Sequence, residues 1–116
     1  MVVIVHPTRL ASPSLDEVAQ IYLRRKRFWT DGSVIVPLNL PSLSPLRKQF
    51  AQRVLHQTEA RLADYWNRQY FYGILPPATL ASTEAVRRYV ASDPKAIGYV
   101  PASAVDGSVR VVLHLE

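Results

Sequence analysis

The amino-acid sequence predicts one α/β domain with a mostly parallel sheet flanked by helices. Its 116 residues match the usual size of a single domain, so residues 1–116 are expected to form one unit. Hydrophobic residues make up 48% of the chain and charged residues 20%, a composition that supports a buried core and argues against disorder. Segments with strand character alternate with amphipathic segments, as βαβ crossovers require.

The first half of the chain is predicted to fold as strand, helix, strand. Residues 2–5 form an uninterrupted aliphatic run that is typical of a buried strand. Ser14 and Glu17 have the spacing of a capping box, and apolar residues follow at helical intervals, which predicts a helix over about 15–24. An Asp-Gly turn signal then precedes a second strand over 33–38.

The second half contributes three more helices and two more strands. Each helix start carries a residue whose side chain suits the first position of a helix. The predicted elements are a helix opened by Ser44-Pro45 with an apolar stripe at Leu46, Phe50 and Val54; a helix capped by Thr58 with Leu62, Tyr65, Trp66 and Tyr70 facing inward; a helix from Ser82 or Thr83 that stops before Asp93-Pro94; and strands over 96–100 and 108–113.

Residue patterns associated with catalysis are missing from the sequence. Without cysteine there is no thiol nucleophile, disulfide or thiolate metal site. The four glycines are too sparse for a dinucleotide or P-loop motif, and the three histidines lie far apart with no metal-ligand spacing. No carboxylate pairs with another in an apolar context. The sequence therefore predicts a protein that is not an enzyme and that holds neither a cofactor nor a metal.

Positive charge raises the question of an anionic partner. The net charge is +5, and four basic residues fall together at 24–27. This run is the basis for a nucleic-acid hypothesis, which predicts binding that weakens steeply with salt. The favoured interpretation is a solvated helix end whose cations complement the helix dipole. Nucleic acid is accordingly disfavoured as a partner.

Two interpretations of the cellular location remain open. The longest aliphatic run, Val2–Val5, is far shorter than the ~20 apolar residues of a membrane span, so no membrane insertion is expected. Met1 leads directly into that run with no signal-peptide pattern before it. Either the native chain starts at Met1 and is cytoplasmic, or the protein is exported and its signal lies outside this sequence.

The clearest candidate for ligand contact is the helix start at Ser44. A helix N-terminus presents unpaired N–H groups and the positive end of the dipole, which favours anions. The donors would be the hydroxyls of Ser42 and Ser44 and the N–H groups of Leu46 and Arg47, with charge from the Arg47 side chain. Cations in a first turn are disfavoured by about 0.3–1 kcal/mol each, which a nearby anion would offset. An ordinary helix start with solvated basic side chains is the alternative that the local sequence favours.

Several motifs run in the order found in one protein family. They are residues 15–23 (LDEVAQIYL), 29–32 (WTDG), 36–39 (VPLN), 44–50 (SPLRKQF) and 94–100 (PKAIGYV), together with Trp66. With these motifs the chain resembles the phosphate-type solute-binding proteins of bacterial ABC transporters, and in particular small single-lobe members of that superfamily. The resemblance covers nearly the whole chain and implies one lobe of a periplasmic-binding-protein-like fold, a binding role in transport and export to the periplasm.

The resemblance also implies where a ligand would lie. Two-lobed members clamp an oxyanion between lobes, using a loop like Arg-x-Asp-Gly-Ser-Gly-Thr that opens a helix. Residues 42–46 occupy that place here, and Ser44 is similar to the serine that contacts the anion. The family's arginine falls near Asn39 or Leu40, with Arg47 as a substitute, and its glycine and threonine are replaced by Pro45 and Leu46.

A single lobe leaves such a ligand half exposed. Small-ligand sites usually bury about 70–90% of the ligand. We therefore expect binding of a phosphate-like oxyanion with a Kd on the order of 1 mM unless a second chain, in a homodimer or a partner protein, closes over it. The alternative hypothesis is a sensory or adaptor module that uses the same face to bind a protein.

Overall fold

The computed structural model describes residues 1–115, which form a five-stranded sheet and four α-helices. The strands are β1 (Val2–Val5), β2 (Val36–Asn39), β3 (Ala78–Thr79), β4 (Ala96–Val100) and β5 (Arg110–His114). The helices are α1 (Leu15–Tyr22), α2 (Pro45–Phe50), α3 (Glu59–Tyr70) and α4 (Thr83–Ser92). A π-helical segment, Ala51–Leu55, continues α2, and a 3-10 turn, Ala102–Ala104, follows β4.

The sheet has the strand order β3-β2-β4-β1-β5. β2 pairs in parallel with β3 and β4, whereas β1 pairs antiparallel with both β4 and β5. The predicted α/β class is confirmed. The sheet is nevertheless mixed, because β1 lies between β4 and β5 and runs against both of them. The expectation of a mostly parallel sheet therefore fails only at the two pairings that β1 makes.

Helices cover the two faces of the sheet. On one face, the buried hydroxyl of Tyr22 in α1 donates to the carbonyl of Leu38 in β2 at 2.9 Å and lies 3.3 Å from that of Ile97 in β4. On the other face, α4 packs against β4 and β1. All five residues of β4 are buried, as expected for a central strand between two helical layers.

Three of the predicted helix starts carry the expected side-chain caps. Ser14 and Glu17 form a complete capping box, Thr58 accepts a hydrogen bond from the N–H of Arg61, and Ser82 accepts one from the N–H of Ala85. These bonds satisfy donors that the first turn of a helix leaves without helical acceptors. Among residues 1–115 no helix is both long and apolar enough to cross a membrane.

The structure corrects three local predictions. α1 ends at Tyr22 rather than near residue 24, because Arg24 adopts a left-handed backbone with φ of 61°. The second strand begins at Val36, since Val34 instead pairs with Phe28 in an isolated bridge. Tyr70, expected to face inward, is 68% exposed at the end of α3.

Candidate functional site

The loop before α2 lies where the parallel strands end. β2 ends at Asn39 and leads through residues 40–44 into α2. The register pairs Val2 with both Val100 and His114, so the start of β1 and the end of β5 reach the same edge of the sheet. We call this edge, where β2, β4 and β5 end and β1 begins, the carboxyl edge. In open α/β sheets, ligands bind outside the carboxyl ends of the strands.

Ser44 occupies the first position of α2 without capping it. Its backbone is extended, with φ of −65° and ψ of 125°, and its side chain makes no cap hydrogen bond. The first helical bond runs from the N–H of Lys48 to the carbonyl of Ser44 at 3.2 Å. The N–H groups of Leu46 and Arg47 precede this bond and have no helical acceptor. Ser42 is exposed in the same loop.

The Arg47 side chain turns back onto its own chain. One guanidinium nitrogen donates to the carbonyl of Leu40 at 3.0 Å, and Nε lies 3.7 Å from Oε1 of Glu59. The longer distance exceeds that of a hydrogen bond, and Glu59 Oε1 is buried without a hydrogen-bond partner among the described residues. Only 22% of the Arg47 side chain is exposed, and its guanidinium is engaged by two groups of the chain itself.

A cluster of three aromatic residues packs between α2 and the sheet. The Phe50 ring stacks on Tyr99 with centroids 4.0 Å apart and meets Tyr22 edge-on at 4.6 Å. The Tyr99 hydroxyl donates to Oδ1 of Asn39, which also accepts the N–H of Leu40 at 2.9 Å. Burial raises the pKa of Tyr99 well above its ordinary value, so the hydroxyl stays a donor at neutral pH. α2 is thereby bound to the ends of β2 and β4.

Sequence reasoning missed the polar partners beneath the loop. Asn39 was considered only as the position of the family's arginine, and neither Glu59 nor Tyr99 was a candidate. The continuous apolar run of β4 marks Tyr99 as a core residue, but no local pattern shows that its hydroxyl reaches Asn39. Within residues 1–115, no group of three or more His, Asp or Glu side chains could hold a metal ion.

A separate concave surface lies between the π-helical segment and the start of α3. It encloses about 520 Å³, and its lining includes Lys48, Gln52, His56 and Arg61. Pockets of this kind are a common location for ligands. None of the four predicted ligand residues lines it, so the Ser44 loop and this surface are distinct candidates.

The caps of α4 and α2 are expected to differ in their effect on stability. Ser82→Ala should lower the free energy of unfolding by about 1 kcal/mol, because it removes the 3.1 Å hydrogen bond from the N–H of Ala85. Ser44→Ala should change it by less than about 0.5 kcal/mol, because no capping bond is lost. Urea unfolding of both variants measures the difference. Equal losses would show that Ser44 caps α2 in solution.

Solved structures identify the fold as that of phosphate ABC transporter substrate-binding proteins. An ABC-type phosphate transport receptor from Vibrio cholerae superposes with a TM-score of 0.77 at 14% identity. A phosphate ABC transporter substrate-binding protein with bound phosphate from Clostridium perfringens gives 0.79 at 21%, and PstS from Borrelia burgdorferi gives 0.73 at 13%. These identities establish the fold alone. The resemblance read from the motifs is confirmed at that level.

The chain corresponds to part of each of these proteins. Every match covers 96% of this chain but only 44%, 43% and 45% of the Vibrio, Clostridium and Borrelia chains, respectively. The chain therefore spans less than half the length of the structures it resembles, as a single lobe would. No family model matches the sequence, and no curated protein is significantly similar to it.

Proposed function

We propose that this chain is a non-enzymatic binding lobe that contacts an oxyanion or an acidic group at the start of α2. The observation that carries the proposal is the uncapped Ser44, which precedes two N–H groups without helical acceptors at the carboxyl edge. The fold likeness supports an oxyanion as the ligand, since one of the similar structures holds bound phosphate. Helix starts with free N–H groups attract anions through both hydrogen bonds and the dipole.

Each predicted residue has a defined part in this contact. Ser42 and Ser44 donate through their hydroxyls, and Leu46 and Arg47 donate through their backbone N–H groups. Arg47 adds positive charge while its side chain holds the carbonyl of Leu40. The main role of its guanidinium is therefore to hold the loop, and its contact with an anion is secondary. The sequence had instead suggested a free cation.

The proposed site needs a cover for tight binding. The first and last strands both reach the carboxyl edge, where the N–H of Leu115 donates to the carbonyl of Met1 at 2.8 Å. Any covalently attached second lobe would therefore join at the same edge of the sheet as the Ser44 loop, and a second copy or a partner protein could cover that edge instead. Without a cover the Kd for phosphate is on the order of 1 mM. We propose that such a lobe acts in transport and is located in the periplasm.

A sensory or adaptor role is the second candidate function. One side chain of the same loop favours it, since Leu43 is apolar and 84% exposed. An exposed apolar side chain beside hydrogen-bond donors suits a protein surface better than a small anion. Sedimentation that shows only monomers at high concentration, with Leu43→Ser unchanged, would count against self-association through this loop.

Titration with phosphate and sulfate followed by amide NMR tests the oxyanion site. We expect shifts at residues 42–47 that saturate with a Kd on the order of 1 mM. Ser44→Ala should weaken binding by about tenfold or more through loss of one charge-assisted hydrogen bond. Ser92→Ala is the matched control, because Ser92 is exposed at the end of α4. Absence of shifts at roughly 10 mM anion, well above the expected Kd, would overturn the proposal.

A further inference from the structure

A third surface, separate from the Ser44 loop and from the concave surface at the start of α3, lies at the opposite end of β2. It is a groove of about 550 Å³ between the segment after α1 and the connector that leads to β3. Its lining is mostly apolar and includes two arginines. We call it the β3 groove, and the residues used below are Arg24, Arg27, Val34, Val36, Leu75 and Ala78.

The two arginines of the β3 groove have no counterions. Across residues 1–115, neither Arg24 nor Arg27 makes a side-chain hydrogen bond or an ion pair, whereas Arg9, Arg47 and Arg87 are all paired. Arg24 is held at the groove by a left-handed backbone, φ 61°, which a non-glycine residue seldom adopts. Two uncompensated cations beside apolar surface favour a ligand that carries negative charge.

The apolar part of the groove is open to solvent. Leu75 is 59% exposed and Val34 is 48% exposed, while Ile35 and Pro37 close the floor as buried residues. β3, at the end of the strand order, has only two residues, both exposed. Edge strands present unpaired backbone groups that a further peptide segment can use.

We propose that the β3 groove docks a segment of a partner protein in which large apolar side chains are flanked by carboxylates. The apolar side chains would cover Val34, Val36 and Leu75, and the carboxylates would pair with Arg24 and Arg27. Charge complementarity identifies the partner as acidic. A second copy of this chain, with a net charge of +5, is a poor match for the two arginines of this groove, which call for carboxylates.

Two other classes of partner fit the groove less well. Single-stranded nucleic acid binds by stacking bases on aromatic rings, and no aromatic residue lines the groove. A membrane surface requires apolar side chains that project outward, whereas this surface is concave with a buried floor. An acidic peptide uses both the concavity and the cations.

The β3 groove and the oxyanion site lie at opposite ends of β2. Val34 and Val36 precede or begin the strand, and the Ser44 loop follows its end. A partner seated in the groove therefore leaves the carboxyl edge open. The docking proposal is independent of the oxyanion proposal, and either can fail alone.

A pair of matched peptides tests the groove. One short acetylated peptide has two central leucines flanked on each side by glutamates, and its control has glutamines in place of the glutamates. In an NMR titration of the whole chain, we expect the acidic peptide to shift the amides of Val34, Val36, Leu75 and Ala78. The glutamine peptide should bind about tenfold more weakly, and raising the salt concentration should weaken the acidic peptide.

Two exposed positions give variants that leave the core intact. Arg27→Glu and Leu75→Ser should each weaken the acidic peptide by about tenfold, whereas Arg53→Glu, the same charge reversal at an exposed residue outside the groove, should change its Kd by less than about twofold. Equal binding of the two peptides, or variants without effect, would overturn the proposal. Binding of phosphatidylserine vesicles or oligouridylate at this groove without binding of the acidic peptide would also overturn it.

Discussion

Replacement of Phe50 by alanine is expected to lower the free energy of unfolding by about 3–5 kcal/mol, the usual cost of removing a buried phenylalanine ring. Phe50 is 2% exposed, and its ring fills the space between Tyr22 and Tyr99 at centroid distances of 4.6 and 4.0 Å. The cavity left behind would be bordered by two large rings whose hydroxyls are held by backbone or side-chain partners. They cannot readily collapse into it.

The same substitution tests whether the aromatic group positions the candidate site. Phe50 is the last residue of α2, so loss of its ring should loosen the helix that begins at Ser44. Urea unfolding gives the change in stability, and amide NMR of residues 42–47 reports the loop. Phe71→Ala is the matched control, since Phe71 is 86% exposed and its removal should cost less than about 0.5 kcal/mol. A loss below about 1 kcal/mol for Phe50→Ala would contradict the packing described here.

Helix starts were predictable because their causes are local. Ser14, Thr58 and Ser82 each accept an N–H three residues later, a bond fixed by the helix geometry itself. The buried run Val2–Val5 was likewise evident from consecutive aliphatic residues. The order of such elements, together with the family motifs, was sufficient to predict a single α/β lobe.

Strand pairing depends on contacts between distant residues. β1 pairs with β4 and β5, which lie about one hundred residues away in sequence, and no local pattern encodes that it runs against both. β3 was missed because two exposed residues after a pair of prolines carry no alternation of apolar and polar side chains. The π-helical continuation of α2 was missed because its apolar stripe is also that of an ordinary helix.

In the candidate site, too, the features with local causes could be predicted and those that depend on distant residues could not. The position of Ser44 at the start of α2 follows from Ser-Pro chemistry and was predicted correctly. The engagement of Arg47 was not, because its partners are a carbonyl seven residues earlier and a carboxylate on α3. In the sequence its charge looked available to a ligand, but in the structure the guanidinium contacts Leu40 and Glu59.

Gly98→Ala is the second substitution for which a large effect is expected. A Cβ at this position would lie 2.4 Å from Cγ1 of Val86 and 3.4 Å from Cγ2 of Val90, both on α4. Val86 is fully buried, and β-branched side chains in helices have one strongly preferred rotamer, so the methyl cannot turn aside. α4 would have to move away from the sheet, and we expect a loss of about 1–3 kcal/mol or more.

A double-mutant cycle distinguishes this clash from a general intolerance of β4. If the contact with Val86 is the cause, Gly98→Ala combined with Val86→Ala should be more stable than the sum of the single losses predicts, by about 0.5–3 kcal/mol. Gly107→Ala, where an added Cβ meets no atom within 4 Å, should cost less than about 0.5 kcal/mol. Additive losses would instead mean that the strain falls on the backbone of β4. Because the next residue is Tyr99, that strain would reach Asn39 and the base of the Ser44 loop, and the NMR shifts of residues 39–44 would then change even in the double variant.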